Sequence, residues 1–301
     1  MSLTIPKEHQ MAGQLAVLAT AIFWSTSGLF IKLLPWHPMV IGGMRSILSA
    51  IFILCVRIII PPQKGVKNQP FPLWAAAIAY ALTMITFVIA NKLTTTANAI
   101  MLQYGAPVWA ALLGWKLIRE KPHWEQWGAM VLVMGGLLIF FKDSLSTGAF
   151  IGDGTALLSG IVFGAFSVFM RMMKDSDPRD AMLLAHVINA VIGIPFIFLY
   201  PPSLSTPTIL AIIYMGFIQV GLASLLFSYG IKRISALQAM LTAIIEPVLS
   251  PIWVLLITGE KPSLIALLGG SIIITSIVAS SLIGKRREIR TLKTQTAVLK
   301  Q

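Results

Sequence analysis

Residues 235–262 read SALQAMLTAIIEPVLSPIWVLLITGEKP, and residues 95–122 read TTANAIMLQYGAPVWAALLGWKLIREKP. At a shift of 140 residues Pro107-Val108 falls on Pro247-Val248, and Glu120-Lys121-Pro122 falls on Glu260-Lys261-Pro262. The register continues upstream, where Phe87 meets Phe227, Lys92 meets Lys232 and Ala99 meets Ala239. Residues 20–27 face 160–167 more weakly, with Phe23 on Phe163 and Ser27 on Ser167. One register across most of both halves is rarely sustained by chance between apolar helices, so the chain reads as a duplicated unit.

The medium of that unit follows from composition. The 301 residues are 56% hydrophobic and 11% charged, where a soluble domain carries about a quarter charged residues. The apolar residues come in runs of about 20, enough for a helix to cross about 30 Å of hydrocarbon. Ten spans are expected, at 12–34, 39–60, 72–91, 95–117, 124–141, 151–173, 181–200, 208–231, 235–257 and 263–283. Continuous runs argue for helices over a barrel, whose strands alternate with a period of two. Glycine and proline within the runs fit membrane helices. The first span does not read as a cleavable signal, being long, holding Trp24 and ending without a small-x-small pattern. The single cysteine, Cys55, lies within the second span, which leaves no disulfide framework or cysteine metal site.

The net charge of +12 is a matter of topology rather than of nucleic acid. Sorting the 23 Lys and Arg by the expected spans puts 18 on one side, from Lys7 through Arg57, Arg171 and Lys232 to the tail. Lys32, Lys92, Lys142 and Lys261 fall on the other side, and Arg45 within a span. The cation-rich side is expected to be cytoplasmic, with both termini on it. The basic tail, 284–301, could be solvated or lie against anionic lipid.

Five helices per half is an odd number, so the second copy must enter the membrane from the opposite side. Inverted repeats of this kind recur in secondary transporters, with the solute site near the midplane between the copies. The fold class expected is all-α integral membrane, with repeats at 12–141 and 151–283 around a central cavity.

The residues from Lys92 to Ala99, the run from Pro107 through Gly114-Trp115 to Glu120-Lys121-Pro122, and Ser235-Ala236-Leu237 through Glu246-Pro247 to Gly259-Glu260-Lys261-Pro262 resemble the tandem EamA domains of the drug/metabolite transporter superfamily. The resemblance covers residues 12–283. It implies an exporter-like carrier of five plus five helices in a bacterial-type plasma membrane, without a cofactor. Members handle amino acids, other metabolites and toxic compounds, so it leaves the substrate open.

Ionisable groups within a span cost about 2.5–3.5 kcal/mol on insertion scales, so each invites a reason. Glu246, directly before Pro247, could present a carboxylate to the cavity, for an amine or a proton. Alternatively, a protonated Glu246 could bond backbone groups that the proline frees. Its repeat partner is Ala106, a one-sidedness that favours recognition or coupling. Arg45 could hold a solute carboxylate, or snorkel to the interface. His186 and Asn189 share one helix face, as a titrating site or as interhelical hydrogen-bonding groups. Trp24, Ser25, Thr26 and Ser27 in the first span, Gln103 and Tyr104 in the fourth, Tyr80 in the third and Gln219 in the eighth outline a polar lining; Ser and Thr there could equally bond their own backbone. Phe87, Trp109, Phe163 and Phe227 could wall a cavity or face lipid. Asp153 reads as a cap for the sixth span, and Gly42-Gly43, Gly135-Gly136 and Gly269-Gly270 as close helix contacts.

The expected function is secondary transport of a small solute by alternating access, with protons as the favoured coupling ion. No GxxxxGK[ST] loop supplies ATP-driven transport, and no HExxH or GxSxG supplies a hydrolase. No charged ring or carbonyl filter suggests a channel. Amino acids or related metabolites are the favoured cargo, and organic cations the alternative.

Overall fold

The computed structural model describes residues 7–61, 69–122, 149–243 and 245–259, with individual residues between 124 and 139 and between 264 and 283. Every regular element among them is helical. The first half holds α1 (Lys7–Ser25), α2 (Ser27–Leu33), α3 (Pro38–Ile59), α4 (Pro70–Leu93), α5 (Thr96–Gln103) and α6 (Ala106–Ile118). The second holds α7 (Phe150–Met172), α8 (Pro178–Leu199), α9 (Thr206–Tyr214), a wide π-helical stretch (Met215–Leu222), α10 (Ala223–Ile231), α11 (Ala236–Thr242) and α12 (Ile245–Thr258).

Seven stretches are long and apolar enough to cross a membrane: Glu8–Leu33, Pro38–Ile59, Pro70–Leu93, Phe150–Met172, Pro178–Leu199, Thr206–Ile231 and Ala236–Ile257. Their starts run a few residues ahead of several expected spans because Pro38, Pro70 and Pro178 each open a helix, where proline's missing N–H costs nothing. The fourth expected span, 95–117, is not continuous but two helices of 8 and 13 residues. Of 124–141 and 263–283 only individual residues are described, all helical; the tail 284–301 lies outside the described residues.

The distribution of side chains inverts that of a soluble protein. Large apolar groups such as Ile58, Ile151, Phe198 and Leu256 stand more than 70% exposed, while Thr20, Ser46, Ser49, Ser159, Ser167 and Ser224 are fully buried. Such a surface is stable against hydrocarbon, and the buried hydroxyls largely bond helix carbonyls, as Ser49 does to Arg45 O at 2.8 Å.

The duplicated halves pack reciprocally. The equivalent helices α3 and α8 run antiparallel: the His37 ring stacks on Tyr200 at 4.4 Å at one end, and Arg57 Nε meets Asp180 Oδ1 at 2.6 Å at the other. They cross at Gly43 and Gly193, where a Cβ on either would collide with the other's Cα. Of the other expected glycine contacts, Gly42 and Gly135 face open space, so neither makes one. α4 packs on α7, with Tyr80 stacked on Phe166 at 4.5 Å; correspondingly α10 packs on α1, Gly230 against Gly13 and Val17. The cations segregate as their sequence positions imply. Arg57, Arg171, Arg179 and Lys232 gather at one end with Asp180, Glu120, Asp177 and the Ser176 carbonyl. Lys32 and Lys92 lie at the other end, donating to the Thr94 and Leu34 carbonyls.

Candidate functional site

Four spans depart from regular α-helix at mid-depth, and the departures face one another. In the fourth, α5 stops at Gln103, and the Gly105 N–H reaches only back to Leu102 O at 3.2 Å, the tightened turn of a helix end. Pro107 lacks the donor that continuity would need. In the ninth, α11 stops at Thr242 and α12 starts at Ile245, so the interruption recurs 140 residues on, again just before a proline. Thr26 interrupts the first span, and the π-helical stretch widens the eighth. Each break leaves carbonyls to be satisfied from outside the helix.

Close approach at the breaks depends on α7. A Cβ on Gly160 would sit 2.7 Å from Gln103 O, and one on Gly164 2.6 Å from Ala106 O. The repeat partner of Gly164 is Trp24, so the space that glycine leaves open in one half is filled by an indole in the other. That indole lies against Phe163 at 5.6 Å and Phe227 at 5.5 Å between ring centres.

Between the breaks lies a cavity lined by Trp24, Ser27, Arg45, Tyr80, Thr83, Met84, Phe87, Gln103, Phe163, Gln219, Val220 and Glu246. No lining residue is more than 7% exposed, so the chamber is deep within the bundle. Of the candidates singled out from sequence, Trp24, Ser27, Arg45, Tyr80, Gln103, Gln219 and Glu246 line it, and Tyr104 touches it through Glu246.

The two ionisable groups take different settings. Arg45 does not snorkel: it is 2% exposed, because α3 turns this face inward to α4 and the break in the first span. Its nearest partners, Ser27 Oγ and Met84 O, stand at 3.4 Å, the long end of hydrogen bonding, and Nε has none. Glu246 sits in the first turn of α12, where free N–H groups and the helix dipole favour an acid. Its carboxyl lies 2.9 Å from the Tyr104 hydroxyl. The expected backbone partners for its side chain give way to this phenol, because Tyr104 projects from the other break. No ion pair joins Arg45 and Glu246, although both face the same cavity.

The remaining candidates fall outside the lining. His186 Nε2 bonds Ser224 Oγ at 3.1 Å behind Tyr80, whose ring it meets edge-on at 5.8 Å. Asn189 is buried with no partner for either amide atom, so no interhelical bond forms there. Ser25 and Thr26 turn back on the Ile22 and Phe23 carbonyls, away from the chamber. Trp109 and Phe227 do not line it, whereas Phe87 and Phe163 do. Asp153 lies in the first turn of α7, where the helix N-terminus favours an acid, although the cap residue itself is Ala149; it accepts from Asn98 Nδ2 at 3.2 Å. Thr83 and Met84 went unread in the sequence; with Tyr80 and Phe87 they form a stripe at helical spacing, which that tyrosine could have exposed.

Two copies of the EamA-like transporter family model match the chain, at residues 11–142 and 150–282. The chain belongs to the EamA-like transporter family. Among the family's relatives it is 28% identical over 280 residues to the uncharacterized transporter YwfM of Bacillus subtilis, covering 89% of this chain and 93% of that one. It is 22% identical to an uncharacterized transporter of Archaeoglobus fulgidus, over 88% and 95% of the two chains. A crystal structure at 18% identity superposes with a TM-score of 0.71 over 92% of this chain and 99% of the other, which shows the same fold. The protein is thus a multi-pass membrane transporter with two EamA repeats, built to pass small-molecule solutes through lipid.

Proposed function

We propose that this transporter is a ten-helix secondary carrier whose two inverted five-helix repeats rock around the Arg45–Glu246 chamber and export zwitterionic amino acids or closely related metabolites. The supporting observation is a buried guanidinium and a buried carboxyl on one cavity, with no ion pair between them among the described residues. A buried charge is expensive unless paired, and a solute with both a carboxylate and an ammonium would pair each. Trp24, Phe87 and Phe163 give the solute's side chain an apolar wall, and Gln103 and Gln219 give it hydrogen-bonding groups. The repeats are assigned to 12–141 and 151–283, the basic tail and both termini to the cytoplasm. Export rather than import rests on the family resemblance, since a reversible carrier follows its gradients.

An organic-cation exporter is the second reading, favoured by Glu246 alone; it leaves Arg45 unpaired. The test is uptake into proteoliposomes of radiolabelled phenylalanine, leucine and a quaternary ammonium drug. Amino-acid uptake above that of protein-free vesicles, lost on Glu246→Gln, is expected. Uptake of the drug alone would replace the proposal with the second reading.

A further inference from the structure

The hydroxyl of Tyr104 has one proton and two acceptors. It lies 2.6 Å from the carbonyl oxygen of Ala243 and 2.9 Å from Oε2 of Glu246. The shorter contact goes to the carbonyl at the break in the ninth span, which also accepts from the Glu246 backbone N–H, and it claims the phenol proton. An ionised Glu246 would then turn a carboxylate oxygen towards a phenol lone pair. Only a carboxyl O–H makes both contacts attractive at once, because a phenol oxygen can accept while its proton is donated elsewhere.

We propose that Tyr104 links the proton on Glu246 to the broken ninth span: the Glu246 carboxyl donates to Tyr104 Oη, and Tyr104 donates to Ala243 O. When the carboxyl gives its proton to water, or to a solute amine that thereby becomes an ammonium, no O–H bond of the tyrosine breaks. Its hydroxyl rotates onto the carboxylate, and the hydrogen bond to Ala243 is lost. The Ala243 carbonyl then keeps only the Glu246 backbone N–H, at 3.0 Å. Tyr104 follows α5 in the first repeat and Ala243 follows α11 in the second, so this rotation unties the two breaks from each other.

The surroundings leave the exchange to these groups. α12 packs against α1, α2 and α5, and among the described residues none of the three brings a titratable side chain to this depth besides Tyr104 at the end of α5. Across the chamber Arg45 of α3 and Tyr80 of α4 face the carboxyl, with His186 of α8 behind Tyr80. The dipole of α12 and Arg45 favour the anion, whereas the tyrosine's arrangement favours the acid, so the site is poised between two states. The inference rests on the reading of Glu246 as the recognition and coupling group of the carrier.

The test is infrared difference spectroscopy of the full chain in lipid nanodiscs across a pH titration. A protonated-carboxyl stretch that vanishes in Glu246→Gln and moves to higher frequency in Tyr104→Phe is the expected result. The glutamine amide can donate to Tyr104 as the acid does, so that variant keeps its fold even if the phenylalanine variant does not. A spectrum unchanged by Glu246→Gln, or a band indifferent to Tyr104→Phe, overturns the link. The measurement needs no solute. A band that behaves as stated in a protein whose vesicles take up nothing leaves the link standing and removes the transport reading.

Discussion

Arg45 and Glu246 face one buried chamber from opposite halves of the chain, and no ion pair joins them. The duplication does not require this: their repeat partners are Ala185 and Ala106, so each charge stands in one half only. An inverted pair of scaffolds thereby becomes an asymmetric site, with a cation from α3 and an acid from α12.

Arg45→Gln should weaken any carboxylate-bearing solute. A hydrogen bond to a charged group is worth about 1.5–3 kcal/mol, or roughly 10- to 150-fold in apparent affinity. Arg45→Lys keeps the charge without the planar fork, and an intermediate loss is expected. The checking measurement is the concentration dependence of uptake for the three proteins.

The crossing of α3 and α8 sets a separate expectation for stability. Gly43→Val puts a side chain where Gly193 already lies, and overpacking of this kind costs about 1–3 kcal/mol. Gly42→Ala, one residue away, enters open space and should be neutral or gain up to about 1 kcal/mol from helix propensity. Thermal unfolding in detergent separates the two neighbours; equal effects would mean that the crossing does not depend on the glycine.

At the cationic end Asp177 caps α8, accepting from the Arg179 N–H at 3.1 Å. Burial alone would raise its carboxyl, but the hydrogen bonds and charge of Arg179 outweigh it and hold the group below the usual carboxylate range. A depressed value in the fold means stability that is present above the unfolded value of about 3.9 and lost as pH falls through the folded one. Asp177→Asn should therefore destabilise by about 1 kcal/mol or less near neutrality, since asparagine still caps. The gap between variant and parent should close below about pH 4. Thermal melts at several pH values measure it, and a gap that widens in acid would refute the assignment.

What the sequence made legible was whatever repeats or alternates with solvent. The apolar runs located the spans, and the recurrence of Pro107 at Pro247 marked the duplication; that a helix break precedes each proline is seen only in the fold. Glu246 stood out because an acid within a span has few excuses. What stayed hidden was direction. Nothing local tells whether Arg45 turns outward to the interface or inward, because that is decided by the packing of α4 and the interrupted first span around it. The partnership of Tyr104 with Ala243 and Glu246 spans 139 and 142 residues, a distance over which only the reciprocal packing of two repeats brings groups together. The π-helical turn that carries Gln219 has no composition signal of its own.

The inverted arrangement has its own check. In a protein whose native Cys55 is replaced by serine, single cysteines at Arg119 and Lys174 should react with a membrane-impermeant maleimide from one side of the bilayer. One at Ser203 should react from the other. Labelling of all three from the same side would be incompatible with antiparallel repeats.

The chamber's role is tested most directly by asking the protein to tell an amino acid from its fragments. Uptake of phenylalanine is compared with that of phenethylamine, which lacks the carboxylate, and N-acetylphenylalanine, which lacks the ammonium. Parent protein is expected to carry phenylalanine at least about 10-fold more efficiently than either fragment, with Arg45→Gln erasing the preference over the amine. Equal transport of all three, or a preference that survives Arg45→Gln, would place recognition elsewhere in the protein.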